Sequence, residues 1–534
     1  MVMLSQVNRD SSPPDIMIPR DYNAAHDLIE RNLVAGRGGK IAYIDDRGSY
    51  TFDELSKRIN RFANVLKGLQ VRQEERILLC LLDTIDFPTA FLGAIKAGVI
   101  PVPTNTLLTA EDYRHMLRDS RATTLVVSHL LWPHFQEIVD DIPTLRHVIL
   151  SDEKVPGRLE LSSLLSQASD VFRAAETTSD DPCFWLYSSG STGNPKGTVH
   201  IHSSLVNTAE LYAIPTLAIR ESDVVFSAAK LFFAYGLGNA LTFPLAVGAT
   251  TILMNERPTP EAVFKRLRQH QPSVFCGVPT LYASMLAHPD CPGAEELNLR
   301  CCPSAGEALP QEISRQWSAR FGVDILDGIG STEMLHIFLS NRVGDVRYGT
   351  TGKPVPGYKV RLVDEDGQPV AVGEIGALEV SGPSSAIQYW NNVAKSRSTF
   401  IGDWIHSGDK YSVTADGYYV YAGRSDDMLK VGGIYVSPTE VESVLMGHEA
   451  ILEVAVVGRH DDEKLIKPAA YVVLKPGWSA SQKLAGELKQ FVKAHLAPYK
   501  YPRWFEFLDE LPKTATGKIQ RFKLRSGNQN PSIK

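Results

Sequence analysis

Residues 187–197 read YSSGSTGNPKG, a stretch with five hydroxyl side chains, three glycines and one lysine within eleven residues. Glycine lets backbone N–H groups turn toward an anion, hydroxyls donate further hydrogen bonds, and lysine adds a positive charge. The apolar residues at 184–188 indicate a strand before this stretch, and residues 203–212 favour a helix after it. The stretch therefore predicts a loop that binds phosphate groups.

The order of residues in this loop excludes two common nucleotide-binding motifs. A Walker A loop needs GxxxxGK[ST], whereas here Lys196 follows Gly193 by three positions and is itself followed by Gly197. The dinucleotide-binding fingerprint needs a third glycine, which is missing after both Gly236-Leu-Gly238 and Gly328-Ile-Gly330.

Short apolar runs alternate with helical patterns on both sides of the loop. Strands are predicted at 76–82, 99–103, 124–128, 147–151, 223–228, 250–254, 273–277 and 323–327, with a helix at 89–97 between the first two. Strand, helix and strand at this spacing favour parallel sheets with crossover helices, which is an α/β fold. Shorter strands at 359–364, 374–381 and 417–422 indicate a β-rich subdomain.

Composition and charge exclude several classes of protein. The chain has 534 residues, of which 43% are hydrophobic and 22% charged, and this is typical of a globular protein rather than a disordered one. A net charge of −6 predicts no binding to nucleic acid or to an anionic membrane. No apolar run is long enough to span a bilayer, and the N-terminus shows no secretory signal. Six cysteines form no disulfide framework, and the adjacent Cys301 and Cys302 are predicted to be small buried residues, which favours a reduced cytoplasmic enzyme.

The chain divides by charge into an acidic body and a mildly basic end. Residues 427–534 contain 16 Lys and Arg against 12 Asp and Glu, a local balance of +4. We therefore predict a flexible leader at 1–25, an N-terminal domain at 26–425 and a small mobile C-terminal domain at 426–534 that meets a polyanion. Charge alone leaves chance segregation open as an alternative.

YSSGSTGNPKG resembles the phosphate loop of the acyl-adenylate-forming (AMP-binding) superfamily, which includes acyl-CoA synthetases, peptide-synthetase adenylation domains and luciferases. Four further stretches resemble the family's motifs in the family's order: GSTE at 330–333, SGD at 407–409, GRSDDMLK at 423–430 and PKTATGKI at 512–519. The resemblance covers nearly the whole chain. It implies two α/β subdomains and a β-rich subdomain in a large N-terminal domain, followed by an α+β lid.

The resemblance also implies a chemistry, in which ATP activates a carboxylate as acyl-AMP with loss of pyrophosphate, and coenzyme A then displaces AMP. Lys518 matches the catalytic lysine of adenylation, Glu333 the Mg²⁺ ligand, and Thr332 the residue that bonds the α-phosphate. The remaining residues implied to bind ATP or AMP are Ser188, Ser189, Gly190, Ser191, Thr192, Gly193, Lys196, Ala305, Gly306, Glu307, Asp327, Gly328, Ile329, Asp409 and Arg424.

The acyl pocket most resembles that of benzoate– and 4-hydroxybenzoate–CoA ligases. The segments SAAKLFFAYGLG at 227–238 and GIGSTEMLHIF at 328–338 carry this resemblance. It implies an aryl site lined by Phe233, Ala234, Tyr235, Gly330, His336 and Ile337. Aromatic faces suit a ring and obstruct a long acyl chain, while His336 could bond a ring substituent or merely close the pocket. Either acid, or both, is an expected substrate.

In the family the C-terminal domain rotates between the two half-reactions. The resemblance places the hinge at Asp426 and brings Lys430, Gly432 and Gly433 to the channel for the coenzyme A thiol. We expect ATP, Mg²⁺ and coenzyme A as cofactors or co-substrates, an aromatic carboxylate as the small-molecule partner, and a monomer or homodimer. The alternatives are a carrier-protein-loading adenylation enzyme, another carboxylic-acid ligase, an oxygen-using luciferase, a phosphate-hydrolysing NTPase and a non-catalytic nucleotide sensor.

Overall fold

The structure, a computed structural model, describes residues 2–188, 195–425, 427–431, 434–461, 465–497, 499–513 and 519–526. The first parallel sheet has the strand order Ile100–Pro103, Arg76–Cys80, Thr124–Ser128, His147–Ser151 and Leu159–Glu160. The middle residues of its longer strands are apolar and buried, as is typical of a parallel sheet covered by helices on both faces. The helices in this part of the chain are Ala24–Val34, Phe52–Gly68, Asp86–Lys96, Ala110–Ser120 and Leu161–Gln167.

A second sheet places Val274–Cys276, Val224–Ser227, Thr250–Ile252 and Ile41–Asp45 in parallel, with Gly48–Thr51 as an antiparallel edge. Parallel bridges from Val274 to Cys301 and from Gly277 to Ser304 connect it to the strands Cys302–Ser304, Ile325–Gly330, Ile337–Ser340 and Lys353–Pro354. The α-helices of this region are His202–Thr208, Ala234–Leu237, Phe243–Val247, Pro260–His270, Pro279–Ala287 and Gln311–Phe321. The predicted α/β architecture with parallel sheets is thus confirmed.

The phosphate loop lies in a setting that differs from the predicted one. The strand Pro182–Ser188 pairs antiparallel with a second strand, Lys196–Ile201, which pairs in turn with Gln388–Tyr389. The loop therefore connects two strands of a hairpin, and the helix begins only at His202. The sequence KGTVHI forms a strand because its threonine, valine and isoleucine are β-branched and fit a pleated, buried surface.

The β-rich subdomain is confirmed as an antiparallel sheet. It contains the strands Lys359–Val363, Gly376–Ser381, Phe400–Ile401, Trp404–Val413 and Tyr419–Arg424, with the helix Val393–Thr399 packed beside it. Its longest strand, Trp404–Val413, carries the SGD motif at its middle.

The C-terminal region has its own hydrophobic core around Val436, Leu445, Val456 and Val472. Its strands are Leu429–Val431, Ile434–Val436, Ile451–His460, Ile466–Leu474 and Trp504–Phe507, and its helices are Pro438–Met446, Gln482–His495 and Arg521–Ser526. Asp426 lies outside the described residues, so a domain boundary there stays a prediction.

At the N-terminus the structure differs from the loose leader predicted for residues 1–25. The strands Gln6–Asn8 and Asp15–Met17 pair as a hairpin. Arg9 binds the buried carboxylate of Glu210 with two hydrogen bonds of 2.9 and 2.8 Å, and Tyr22 is fully buried. This segment is held to the body because each contact satisfies a charge or removes apolar surface from water.

Candidate active site

The two ends of the phosphate loop are held opposite each other by the hairpin. Ser188 and Lys196 are the last register pair before the loop. The Ser188 hydroxyl is buried and has no hydrogen-bond partner among the described residues, which suits an oxygen that donates to a ligand phosphate. The other predicted loop residues lie outside the described ranges: Ser189, Gly190, Ser191, Thr192 and Gly193.

Glu333 lies next to the same hairpin, and three hydrogen bonds fix Glu333 and the residue before it. Its backbone oxygen accepts a hydrogen bond of 2.7 Å from the N–H of Ala386. Its side-chain Oε1 accepts one of 2.7 Å from the hydroxyl of Tyr389. The backbone oxygen of the preceding Thr332 lies 2.7 Å from His200 Nε2, which must donate because a carbonyl only accepts.

Tyr389 also contacts the predicted phosphate-binding lysine. The ammonium nitrogen of Lys196 lies 4.5 Å from the centroid of its ring, within the range of a cation–π interaction. Burial lowers the pKa of Lys196, and the nearby charge of Glu333 acts in the opposite direction. Sequence reasoning missed Tyr389, since it belongs to no motif and reaches the site only through cross-strand pairing with Thr198.

The two segments predicted to bind adenine are adjacent in the structure. Ser304 pairs with Asp327 in a parallel ladder, so residues 305–307, which follow the first strand, lie beside residues 327–329 of the second. Burial raises the pKa of Asp327, and its Oδ1 has no hydrogen-bond partner among the described residues. A buried acceptor of this kind is costly unless a ligand or water donates to it. The structure thereby brings Ala305, Gly306, Glu307, Asp327, Gly328 and Ile329 to one place.

Asp409 and Arg424 are likewise brought together, as a register pair on neighbouring antiparallel strands. Arg424 Nη1 donates to Asp409 Oδ1 and to the backbone oxygen of Ser407, each over 3.2 Å. Gly408 has a φ of +78°, and a Cβ there would come within 2.8 Å of Arg424 Nη2. The SGD motif therefore favours glycine mainly for its left-handed backbone, since the end of the flexible Arg424 side chain could move away from a Cβ.

The predicted aryl pocket is built by two short segments that meet at His336. Tyr235 lies in the single-turn helix Ala234–Leu237, which directly follows Phe233. Gly330 and Ile337 pair where the strands Ile325–Gly330 and Ile337–Ser340 come together.

His336 is 3% exposed and lies against the rings of Tyr212, Tyr235 and Phe243 at centroid distances of 5.2, 5.6 and 4.5 Å. Burial lowers its pKa to about 3, so the ring is neutral near pH 7. Nε2 lies 3.2 Å from the backbone oxygen of Tyr235 and must donate to it. Nδ1 is then the acceptor, and it is buried with no partner among the described residues.

Two further side chains near His336 also have buried polar atoms without a hydrogen-bond partner among the described residues. The Tyr235 hydroxyl and both amide atoms of Asn239 are buried without a hydrogen-bond partner in the described part of the chain. Burial raises the pKa of Tyr235, and the polar side chain of the neighbouring Asn239 lowers this pKa in part. The sequence did not predict Asn239 as a site residue, because a single amide within an apolar run matches no motif and no characteristic spacing.

The hinge and lid residues are mostly outside the described ranges. This holds for Asp426, Gly432, Gly433 and Lys518. Lys430 is described through its backbone alone, which pairs with residue 435. Lys513 and Ile519 form an antiparallel bridge across the segment that contains Lys518. All six cysteines are buried and free, which confirms the predicted burial of Cys301 and Cys302.

The donor set fits a hard divalent cation bound with a nucleotide. Across the described ranges, no cluster of three or more His, Cys, Asp and Glu side chains could hold a metal ion by itself. Mg²⁺ commonly takes one or two carboxylates and completes its shell with substrate phosphates and water. Glu333, beside the phosphate hairpin, could supply such a carboxylate.

Within the described ranges, every helix is too short or too polar to cross a bilayer.

This fold and this site define an AMP-binding enzyme, and family comparison agrees. The AMP-binding enzyme model matches residues 30–390, and the model of the AMP-binding enzyme C-terminal domain matches residues 440–518. The chain belongs to this family, so the predicted resemblance and fold class are confirmed.

Several similar proteins in the family are named as CoA ligases of aromatic acids. The chain is 65% identical to benzoate–CoA ligase of Thauera aromatica, over 98% of this chain and 100% of that protein. It is 50% identical to 4-hydroxybenzoate–CoA/benzoate–CoA ligase of Rhodopseudomonas palustris, over 95% and 94% of the two chains. A solved structure of an anthranilate CoA ligase in complex with anthranoyl-AMP has a TM-score of 0.92 and 45% identity, covering 96% of this chain and 98% of that one.

Proposed function

We propose that this chain joins benzoate or 4-hydroxybenzoate to coenzyme A at the expense of ATP, through an aryl-AMP intermediate, with release of AMP and pyrophosphate. The observation that carries the proposal is the short segment between the strands Ile325–Gly330 and Ile337–Ser340. It holds Glu333 at the phosphate hairpin and His336 in the aromatic cluster, only three positions apart. A metal-bound nucleotide and an aromatic acid would therefore meet across one turn.

The first half-reaction needs positive charge around the α-phosphate. The carboxylate oxygen of the acid attacks phosphorus, a bond to pyrophosphate breaks, and negative charge accumulates on the departing oxygens. Lys196, Thr332 and the hydroxyls of the phosphate loop would bind the nucleotide, and Glu333 would hold Mg²⁺. The ribose would sit against Asp409 and Arg424, since a carboxylate accepts hydrogen bonds from a diol.

The ring of the acid would occupy the space bounded by Phe233, Ala234, Tyr235, His336 and Ile337. The neutral His336 presents no charge to an apolar ring, because its pKa is about 3. The acid is thereby seated with its ring among aromatic side chains and its carboxylate toward the nucleotide.

The second half-reaction transfers the aryl group from AMP to the thiol of coenzyme A. Lys518 would serve adenylation, and rotation of the C-terminal domain about Asp426 would replace it with residues 430–433. The balance of +4 in residues 427–534 favours contact with a polyanionic co-substrate such as coenzyme A. A cytoplasmic location and a monomeric or homodimeric state stay predictions.

A substrate panel tests the proposal. Purified protein is given ATP, Mg²⁺ and coenzyme A with benzoate, 4-hydroxybenzoate, anthranilate, cinnamate, cyclohexane carboxylate or a fatty acid, and the thioester, AMP and pyrophosphate are quantified. We expect all three products in equal amounts with benzoate or 4-hydroxybenzoate, and little product with the fatty acid. Formation of ADP, or release of orthophosphate without any acid, would contradict the proposal.

A further inference from the structure

Tyr389 occupies a position that none of the recognised motifs describes. It lies in the two-residue strand Gln388–Tyr389, which pairs with the second strand of the phosphate hairpin. Its side chain is 3% exposed, although it carries a hydroxyl that needs a hydrogen-bond partner. The partner is Glu333, at 2.7 Å.

One tyrosine side chain thus meets two groups of opposite charge. Its hydroxyl donates to Oε1 of Glu333, and its ring lies 4.5 Å from the ammonium nitrogen of Lys196. A carboxylate oxygen only accepts, so the Tyr389 hydroxyl is the donor of this bond. A carboxylate has two oxygens and about four acceptor positions, so one bond from Tyr389 leaves capacity for a cation.

The backbone around Tyr389 fixes this arrangement. The N–H of Trp390 donates to the oxygen of Gly197 over 2.7 Å, directly after Lys196. The N–H of Ala386 donates over 2.7 Å to the oxygen of Glu333. Trp390 Nε1 donates to the backbone oxygen of Asp119 over 2.9 Å, which anchors the segment to a third element. The segment 386–390 therefore ties the phosphate hairpin to the carboxylate that faces it.

We propose that Tyr389 is a positioning residue for the metal-bound nucleotide: its hydroxyl orients Glu333 toward Mg²⁺, and its ring holds Lys196 toward phosphate. This inference rests on the proposed function, which assigns those ligands to Glu333 and Lys196. The physical reason is preorganisation, since a metal ligand whose own orientation is fixed by a hydrogen bond loses less entropy on binding.

The test is Tyr389→Phe, which removes the hydroxyl and keeps the ring. ATP binding is measured by calorimetry without any carboxylate substrate, so that no adenylate forms, once in EDTA and then at a series of free Mg²⁺ concentrations. We expect Tyr389→Phe to bind ATP in EDTA as tightly as the wild type does. The Mg²⁺ concentration that gives half of the maximal increase in ATP affinity should be roughly tenfold higher than for the wild type, a factor that corresponds to 1.4 kcal/mol. The shift should vanish in a Glu333→Gln background, because the two residues act through one bond.

Tyr22→Phe is a matched control for the lost hydrogen bond. Tyr22 is also buried, and its hydroxyl donates to the carboxylate of Asp27 over 2.7 Å. It lies outside the residues assigned to the site. We expect this variant to lower thermal stability about as much as Tyr389→Phe and to leave the Mg²⁺ dependence of ATP binding as in the wild type.

Each other outcome overturns a defined part of the reasoning. Wild-type Mg²⁺ dependence in Tyr389→Phe, or an equal loss of affinity in EDTA and in Mg²⁺, would overturn the role of the hydroxyl in orienting Glu333 and leave the proposed function standing. Persistence of the shift in the Glu333→Gln background would separate Tyr389 from Glu333 and overturn it as well. A wild-type protein whose ATP affinity ignored Mg²⁺ would remove the metal assignment of Glu333 itself.

Discussion

Gly238 is the position where one added methyl group should perturb the aryl pocket most directly. A Cβ built there would lie 2.4 Å from Cδ2 and 2.6 Å from Nε2 of His336, and 2.8 Å from Cζ of Phe243. Ordinary contacts of a Cβ begin near 3.4 Å, so the imidazole must shift by about 1 Å in Gly238→Ala. It has little room to do so because Tyr212, Tyr235 and Phe243 surround it.

The expected size of the effect follows from overpacking and from one hydrogen bond. Overpacking a well-packed site costs about 1–3 kcal/mol. Loss of the 3.2 Å bond from His336 Nε2 to the oxygen of Tyr235 adds about 1 kcal/mol. If 1–3 kcal/mol of this strain raises the barrier with bound benzoate, kcat/KM for benzoate falls by about 5- to 150-fold.

The assay is steady-state pyrophosphate release at varied benzoate and at varied ATP. We expect a lower kcat/KM for benzoate and an unchanged KM for ATP, since the three atoms nearest the added Cβ belong to His336 and Phe243. Gly486→Ala is the control, because Gly486 lies inside the helix Gln482–His495 and an added Cβ meets nothing within 4 Å. That substitution should leave kinetics unchanged and stabilise its helix by up to about 1 kcal/mol. A benzoate kcat/KM within twofold of wild type in Gly238→Ala would refute the assignment of His336 to the pocket wall.

Two further predictions concern pH and ring substituents. Burial lowers the pKa of His336 to about 3 and those of His200 and His202 to about 4, from 6.5, so stability is full above pH 6.5 and falls with acidification. The raised pKa values of Asp83, about 6, and of Asp327 offset part of this loss, and we expect urea unfolding to show a net fall in stability from pH 6.5 to 5.5; constant stability would contradict the pKa assignments. Ala234→Phe should lower kcat/KM for 4-hydroxybenzoate at least about tenfold relative to benzoate by overpacking; equal turnover would remove Ala234 from the pocket wall.

The sequence predicted the secondary-structure elements that are marked by a pattern of consecutive residues. The parallel strands were found because helices bury both of their faces and leave continuous apolar runs, as in Thr124–Ser128 and His147–Ser151, whose bounds agree with the prediction. The strand Lys196–Ile201 was missed because the loop before it dominates the local pattern. The paired hairpin of residues 6–17 was missed because Ser11-Ser12-Pro13-Pro14 is also typical of a disordered leader.

Within the site, motifs predicted residues whose chemistry is local to one segment. Glu333, Asp409 and Arg424 were identified this way, and the structure brings the last two into contact. Tyr389 and Asn239 could not be identified, because their importance arises from neighbours distant in sequence. Tyr389 lies 56 positions from Glu333, and only the pairing of strands makes them adjacent.

The most direct test of the account separates the two half-reactions in Lys518→Ala. Adenylation is followed by benzoate-dependent exchange of labelled pyrophosphate into ATP, and thioester formation is followed from supplied benzoyl-AMP and coenzyme A. If Lys518 serves adenylation alone, exchange falls by at least about 10²- to 10³-fold while thioester formation stays within a few-fold of wild type. An equal loss in both reactions would contradict the alternation of the C-terminal domain between two tasks.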